Sequence, residues 1–311
     1  MVAVAEVLAG DPRAVARALS VAERGGPGAE ELLTALRGRL GQARTVGVTG
    51  APGVGKSTLV QDLGLSLLRH GSRVAVLAVD PSSPFTGGAL LGDRVRMPEF
   101  LAAGGFVRSM ATRGALGGLA VAASDALDVL DAAGFDWLLL ETVGVGQDEV
   151  DVAGEVETVV VVAAAGLGDD VQAAKAGLME IGDAFAVNKA DQPGAEAQVA
   201  AIEGMLALAP PGGWKPPVIP TVATTGEGVE QLAAAIARHQ TYLNGDGRRA
   251  QVRRRRARRR VERLLSAMVH ERIRAAGEIA FAALLAEVGD GAVDPYTAAR
   301  RLLDDFCGGD R

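Results

Sequence analysis

Cysteine and aromatic residues are scarce in this chain. Cys307 is the one cysteine among 311 residues, and phenylalanine, tryptophan and tyrosine together make up 4%. A single cysteine excludes an internal disulfide framework and a cysteine-rich zinc site. It is typical of a reducing compartment, so we expect a cytoplasmic location. Because aromatic residues are few, the core must be built from alanine, valine and leucine, which suits a parallel sheet buried under helices on both faces.

Long apolar runs and a basic leader are also missing. The stretch that comes nearest to a membrane span, residues 158–167, is too short to cross a bilayer. The first eight residues contain Glu6 and no basic residue, so we expect no secretory signal. The formal net charge is −6, so bulk electrostatics give no reason to expect nucleic-acid binding. The length suits one large domain with appendages, or two smaller domains.

The order of apolar patterns predicts three parts. Short β-branched runs alternate with helical stretches from about residue 44 to 245, which is typical of βαβ units and a mostly parallel sheet. Helical spacing dominates residues 1–43 and 246–311, which we interpret as an N-terminal helical extension and a C-terminal helical arm. The predicted strands are Thr45–Thr49, Arg73–Val79, Gly105–Ser109, Asp136–Leu140, Thr158–Ala163, Ala184–Asn188 and Pro217–Val222.

A phosphate-binding loop follows the first predicted strand and precedes a predicted helix. It is the G-x-x-x-x-G-K-[ST] motif made by Gly50, Ala51, Pro52, Gly53, Val54, Gly55, Lys56 and Ser57, with Thr58 next. Its glycines let backbone N–H groups wrap a phosphate at the positive end of the helix. Lys56 is expected to reach the β- and γ-phosphates, and the Ser57 hydroxyl to bind Mg²⁺.

Two further loops after predicted strands indicate guanine. Asn188-Lys189-Ala190-Asp191 offers a carboxylate that can accept both N1–H and N2–H₂ of guanine, a pair that adenine cannot form. The aliphatic stem of Lys189 can lie across the purine face. The turn Thr224-Thr225-Gly226 can present backbone amides to the guanine carbonyl, although alone it predicts only a turn. The expected ligand is therefore GTP or GDP.

Acidic residues at strand ends are candidates for the magnesium site. Glu141 ends a strand, and Gly144 after it is the expected γ-phosphate sensor. Asp80 ends another strand, and Asp93 lies in the loop that follows. Carboxylates at this edge can hold Mg²⁺ or orient the attacking water. For Asp93, a solvated loop competes with this interpretation on spacing alone.

Taken together, these motifs resemble the MeaB/ArgK family of P-loop GTPases, the GTPases associated with methylmalonyl-CoA mutase. The resemblance rests on the motifs above together with Gly87–Arg94, Arg108–Gly114 and Glu141–Gln147. It implies a GTPase fold, Lys56 in catalysis and a magnesium shell of Ser57, Asp80, Asp93 and Glu141. It also implies a homodimer that acts as a chaperone for an adenosylcobalamin-dependent acyl-CoA mutase. The segment 168–175 would be an extra switch that couples nucleotide state to the mutase, through Asp169, Gln172 and Lys175.

The sequence departs from the family at two places. Asp148 stands where serine is common, and it adds negative charge beside a switch. Residues 98–105 lack the histidine and aspartate expected before residues 106–109.

A run of arginines, residues 253–260, suggests nucleic-acid binding at first sight. No aromatic residue is interleaved for base stacking, so we favour a solvated face of the arm or a contact with an acidic mutase surface. Nucleic acid and membrane are not expected as partners.

Two other functions are alternatives. A nickel-enzyme maturation GTPase needs cysteine or histidine ligands, and the three histidines, His70, His239 and His270, are not paired at ligand spacing. A kinase acting on a transport protein needs an acceptor site, which the sequence does not reveal.

Overall fold

The fold was examined in a computed structural model that describes residues 3–80, 97–111, 118–142, 154–164, 180–208, 212–276 and 278–308. In this part of the chain seven parallel strands form one sheet in the order β3-β2-β4-β1-β5-β6-β7. The strands are β1 Arg44–Gly50, β2 Val74–Asp80, β3 Phe106–Ala111, β4 Trp137–Thr142, β5 Thr158–Ala164, β6 Ala184–Asn188 and β7 Val218–Thr221. The α/β fold and all seven predicted strands are confirmed.

Eleven α-helices are described. They are α1 Val4–Leu8, α2 Pro12–Arg24, α3 Pro27–Leu36, α4 Lys56–Arg69, α5 Pro98–Ala102, α6 Gly118–Ala132, α7 Ala195–Leu206, α8 Val229–Asn244, α9 Arg248–Ala276, α10 Glu278–Gly289 and α11 Pro295–Gly308. None of the helices described is both long and apolar enough to cross a bilayer.

The sheet is buried on both faces because alternate residues of each strand serve different helix layers. In β4, Leu138 and Leu140 belong to the same buried apolar cluster as residues of α2, α3, α6 and α7, whereas Leu139 belongs to the cluster that includes α4 and α8. Strands buried on both sides read as continuous apolar runs, and β4 and β5 do so. Because all seven strands are parallel, their carboxyl ends lie at the same edge of the sheet, where ligands of such folds bind.

The N-terminal helices are part of the covering layer. Helix α2 begins at Pro12, and the residue before it, Asp11, caps the helix by accepting a hydrogen bond of 2.7 Å from the amide of Ala14. Helix α2 packs on α6. Glu23 of α2 is buried, and its Oε2 accepts a 2.9 Å hydrogen bond from Arg108 of β3. Residues 3–43 are thus joined to the sheet by apolar packing and by an ion pair between a buried carboxylate and a partly exposed arginine.

The chain divides into two compact units, Met1–Ala257 and Arg258–Arg311. The division into parts 1–43, 44–245 and 246–311 stays a prediction.

The arginine run was expected to be a solvated face of the arm, and this expectation is only partly correct, because only part of the run is solvated. Arg253 donates from Nε to the buried carboxylate of Glu157 at 3.0 Å, and Arg256 is partly buried. An α-helix places residues three and four apart on one face, so within the first unit Arg249, Arg253 and Arg256 lie on the covered face of α9.

Candidate nucleotide-binding site

The phosphate loop lies between the carboxyl end of β1 and the start of α4, as predicted. Gly50 ends β1 with φ 147°, and a Cβ atom there would lie 2.1 Å from the carbonyl oxygen of Val162 on β5. Gly55 precedes α4 with φ 92°, and its Cβ would lie 2.4 Å from Nδ2 of Asn188. Both positions therefore require glycine, which lets the chain turn tightly into the helix. The first N–H groups of α4 point towards the loop, which suits a phosphate.

Lys56 is the first residue of α4 and lies across this loop. Its Nζ donates hydrogen bonds to the carbonyl oxygens of Gly50 at 2.6 Å and Ala51 at 3.1 Å, and the residue is buried. A buried ammonium at the positive end of a helix is a strong anion-binding group. The geometry can hold a phosphate chain.

Ser57 and Glu141 meet beside the loop. The Ser57 hydroxyl donates to Oε1 of Glu141, which is buried at the carboxyl end of β4. Because β4 pairs with β1, Glu141 lies next to Val48, near the start of the loop. Hydroxyl and carboxylate oxygens are the ligands that Mg²⁺ prefers, so the donor set fits this ion. Asp80 ends β2 at the same edge of the sheet.

Asn188 braces the site from the end of β6. Its Nδ2 donates to the carbonyl oxygen of Val54 at 2.8 Å. Its Oδ1 accepts from the amide of Ala223 at 3.0 Å and from the Thr221 hydroxyl at 3.3 Å. The side chain is buried, so it joins the phosphate loop to the end of β7. Sequence reasoning assigned Asn188 to the nucleotide and missed Thr221 and Ala223, because strand pairing alone brings them together.

Lys189 and Asp191 complete the predicted guanine loop. Lys189 has φ 58°, which is uncommon outside glycine, and its Nζ donates to the Gly53 carbonyl at 2.9 Å. The long side chain therefore spans from β6 to the phosphate loop, as a lysine lying along a purine face requires. Asp191 is exposed, so its carboxylate is accessible to a ligand.

The turn after β7 is closed by its own backbone hydrogen bonds. The amides of Thr225 and Gly226 both donate to the Val222 carbonyl at 3.0 Å. That these amides contact the guanine carbonyl stays a prediction. Thr224, Thr225 and Gly226 are exposed beside the Asn188 brace.

The described structure thus brings together residues from four strand ends. Five other predicted site residues lie outside the described residues, namely Asp93, Gly144, Asp169, Gln172 and Lys175. Asp148 also lies outside them. Residues 98–102 form helix α5, whose Phe100 is buried against Gly64 and Gly105. Within the described ranges, no group of three or more His, Cys, Asp or Glu side chains is placed to hold a metal ion.

Comparison with known proteins identifies the relatives of this chain. Residues 15–278 match the family described as methylmalonyl-CoA mutase-associated GTPase MeaB. A GTPase of Pyrococcus abyssi is 45% identical over 96% of this chain and 94% of its own length. The GTPase ArgK of Escherichia coli is 40% identical over 72% of this chain and 69% of its own length.

A solved structure has the same fold. The crystal structure of an LAO/AO transport system kinase superposes with a TM-score of 0.73 and 26% identity, covering 97% of this chain and 96% of that chain. The family match covers most of the chain, and the described strands place its phosphate loop, Glu141 and its guanine motif at one edge of the sheet. The chain therefore belongs to the MeaB family of methylmalonyl-CoA mutase-associated P-loop GTPases.

Proposed function

We propose that this GTPase gates the delivery of adenosylcobalamin to an acyl-CoA mutase, such as methylmalonyl-CoA mutase, and protects that enzyme. The observation that carries the proposal is a guanine motif braced onto a phosphate loop, in a family described by its association with methylmalonyl-CoA mutase. When hydrogen-bonded side chains join the base-binding and phosphate-binding parts of a nucleotide site, a change in the bound nucleotide can be coupled to the binding of a partner protein.

Hydrolysis is in-line attack by water on the γ-phosphate of GTP. Lys56 and the N–H groups that begin α4 hold the phosphates and stabilise the negative charge that develops on their oxygens. Asn188 and Lys189 hold the loop in shape while Asp191 binds the base. Ser57 and Glu141 would hold Mg²⁺, with Asp80 and Asp93 completing the shell, and Gly144 would sense the γ-phosphate. Bound Mg²⁺ supplies electrophilic stabilisation of the phosphate oxygens.

The partner and assembly belong to the same proposal. Asp169, Gln172 and Lys175 form the switch that responds to the mutase. The C-terminal arm supports a homodimer, because Val261, Leu265 and Met268 repeat at helical spacing on α9 and are 63%, 60% and 46% exposed. A second copy of the arm would cover this apolar stripe. We propose a cytoplasmic location.

A binding assay with a purified acyl-CoA mutase tests the proposal. We expect the mutase to bind in a nucleotide-dependent manner and to accelerate phosphate release, which is slow for the chain alone. Lys56→Ala should abolish phosphate release with and without mutase. The absence of mutase binding with no nucleotide, with GDP and with a GTP analogue would refute the chaperone role. Transfer of the γ-phosphate to a protein, rather than its release, would support the kinase alternative.

A further inference from the structure

A run of arginines gives this acidic chain one strongly basic segment. Residues 248–260 hold nine of the 32 lysines and arginines and none of the 38 aspartates and glutamates. The rest of the chain is therefore strongly acidic. Helix α9 begins with this segment, and among its arginines in the first compact unit, Arg254 and Arg255 are exposed.

Other arginines of the segment face inward and fix the start of α9 to the sheet. Nε of Arg253 donates at 3.0 Å to the carboxylate of Glu157, which directly precedes β5 and whose side chain is 1% exposed. Nη2 of Arg253 also donates to the carbonyl oxygen of Gly41 at 2.9 Å. Nη2 of Arg249 donates to Oε1 of Gln240 on α8 at 2.6 Å. The exposed arginines are therefore carried by a helix start that is held in place, which lowers the entropy lost when a partner binds them.

The contact with Gly41 brings two more exposed arginines to the same surface. Arg37 and Arg39 precede Gly41 by four and two residues, and both side chains are exposed. Two residues span at most about 7 Å of chain, so Arg39 lies close to the start of α9. All of these residues lie at the amino end of the sheet, where β1 and β5 begin. We call Arg37, Arg39, Arg254 and Arg255 the basic edge.

Three carboxylates at this end of the sheet are engaged by backbone amides. They are Asp131, which accepts from Ala43 at 2.8 Å, Asp136, which accepts from Arg73 at 2.7 Å, and Asp183, which accepts from Val159 at 2.8 Å. In the part of the chain that the structure describes, none of the four arginines of the basic edge forms an ion pair. Their positive charges therefore remain available to the anionic surface of a partner.

The surroundings of the basic edge favour an acidic protein over nucleic acid. Proteins that bind single-stranded nucleic acid offer aromatic rings on which bases stack. At this end of the sheet, the rings of Trp137 and Tyr242 are each covered by an arginine. The guanidinium of Arg44 lies 5.0 Å from the centre of the Trp137 ring, and that of Arg248 lies 4.2 Å from the centre of the Tyr242 ring. The acidic remainder of the chain would also repel a polyanion that extends beyond the basic edge.

We propose that the basic edge is a docking surface for an acidic surface of the acyl-CoA mutase. The inference rests on the proposed function and adds a contact to it. The phosphate loop and Glu141 lie at the carboxyl ends of β1 and β4, whereas the basic edge lies at the opposite end of the sheet. A mutase docked there does not cover the nucleotide. The basic edge therefore raises mutase affinity to the same extent in the GDP and GTP forms, mainly through faster association.

Charge reversal in the full-length chain tests the docking surface. One variant carries Arg254→Glu and Arg255→Glu. The matched control carries Arg13→Glu and Arg24→Glu, which change two exposed arginines of α2 and alter the net charge equally. Affinity for a purified acyl-CoA mutase is measured at about 50 mM and about 200 mM salt, with GDP and with a non-hydrolysable GTP analogue. We expect the variant to lose roughly tenfold in affinity at low salt with either nucleotide, and less at high salt. The control should bind as the natural protein does.

The two nucleotide states separate failure of the basic edge from failure of the proposed function. Nucleotide-dependent mutase binding that the charge reversal leaves unchanged would overturn the basic edge and keep the proposed function. Binding that the charge reversal weakens, but that is equal with both nucleotides in the natural protein, would support the basic edge and refute GTP-gated delivery.

A titration with a short single-stranded RNA tests the other kind of partner. If the natural protein binds the RNA, and the charge reversal abolishes RNA binding but keeps mutase binding, the basic edge belongs to nucleic acid and the inference is overturned. Circular dichroism checks that the variants are folded. If the charge reversal unfolds the chain, Arg254→Gln with Arg255→Gln replaces it and should weaken mutase binding in the same direction. Unchanged mutase binding in that variant would again overturn the inference.

Discussion

Asn188 donates a hydrogen bond of 2.8 Å to the carbonyl oxygen of Val54, and so the guanine motif and the phosphate loop are one mechanical unit. The Oδ1 atom of the same side chain accepts a hydrogen bond of 3.0 Å from the amide of Ala223, so the turn after β7 is joined to this unit as well. Substitutions at Asn188 should therefore change phosphate and base recognition together.

Asn188→Ala removes this brace. The Val54 carbonyl and the Ala223 amide lose their partner, and each unmet buried group costs about 1–3 kcal/mol. We expect GDP and GTP affinities to fall together by at least roughly tenfold, measured by calorimetric titration. Asn244→Ala, at the exposed end of α8, is the control and should leave both affinities unchanged. Unchanged nucleotide affinity in Asn188→Ala would contradict the bracing role.

Asp191→Asn should change base preference rather than phosphate binding. The carboxylate accepts two N–H groups of guanine, whereas an asparagine amide can donate to the C2 carbonyl of xanthine. We expect weaker GTP binding and stronger binding of xanthosine triphosphate, compared by competition against a fluorescent nucleotide. A variant that binds GTP as the natural protein does would refute the guanine assignment.

Gly55→Ala tests the loop geometry. Gly55 has φ 92°, and an added Cβ would lie 2.4 Å from Nδ2 of Asn188. A left-handed conformation alone costs a non-glycine residue about 1–2 kcal/mol. We expect loss of nucleotide binding with the secondary structure kept, measured by circular dichroism and titration.

Gly204→Ala is the matched control for that substitution. Gly204 lies in α7 with nothing within 4 Å of an added Cβ, so alanine should stabilise the chain by about 0.5–1 kcal/mol and leave nucleotide binding intact. Normal nucleotide affinity in Gly55→Ala would show that the loop adopts another shape.

His239, which is buried, and Asp183, which is partly exposed, form a titrating pair at the amino end of the sheet. Nε2 of His239 lies 3.4 Å from Oδ1 of Asp183, and its Nδ1 lies 2.9 Å from the Thr158 hydroxyl. Burial lowers the pKa of His239 to about 4. Burial raises the pKa of Asp183 to about 7, against the Val159 amide and the charge of Arg255, which act to lower it.

The effects of these two opposite pKa shifts on the pH dependence of stability should cancel in the natural protein. Between about pH 4 and 6.5 the folded chain carries one proton on Asp183, and the unfolded chain carries one on His239 instead. The pair therefore contributes little pH dependence to the free energy of unfolding in this range. Replacing either residue alone should therefore reveal the pH dependence that the other residue contributes to the free energy of unfolding.

Asp183→Asn leaves His239, whose folded pKa is lowered. The stability that a neutral His239 contributes is present above pH 6.5 and is lost as pH falls towards 4, at up to about 1.4 kcal/mol per pH unit. His239→Gln leaves Asp183, whose folded pKa is raised. Its stability is present below about pH 4 and is lost as pH rises through about 7. Urea unfolding of each variant, taken as the difference from the natural protein, should show slopes of opposite sign, and parallel slopes would contradict the pairing.

The sequence predicted the strands and the motifs because both depend on local pattern. β-branched runs separated by helical stretches specify a parallel sheet, and the carboxyl ends of parallel strands meet at one edge. The meeting of Ser57 with Glu141 follows from that rule. The contacts of Asn188 with Thr221 and Ala223 do not, because they depend on the register between β6 and β7.

The arginines at the start of α9 show a different limit. In the run 253–260, which is almost entirely arginine, every face of the helix carries charge, so the pattern does not reveal which face the fold covers. The carboxylate that selects Arg253 lies 96 residues away in sequence. The Asp183–His239 pair likewise joins a loop before β6 to helix α8, and no local signal links them.

The ion pair between Glu23 and Arg108 limits where this protein can be shortened. Arg108 is a residue of β3, and helix α2 supplies the carboxylate that neutralises it. A chain that starts at β1 would lack this carboxylate and would expose the face of α6 that α2 now covers, where Leu19, Leu127 and Leu130 belong to one buried apolar cluster. Apolar surface that is exposed to water costs stability, and the net stability of a domain is small. We therefore expect a fragment of this GTPase that keeps α2 to be more stable than one that begins at the first strand of its nucleotide site.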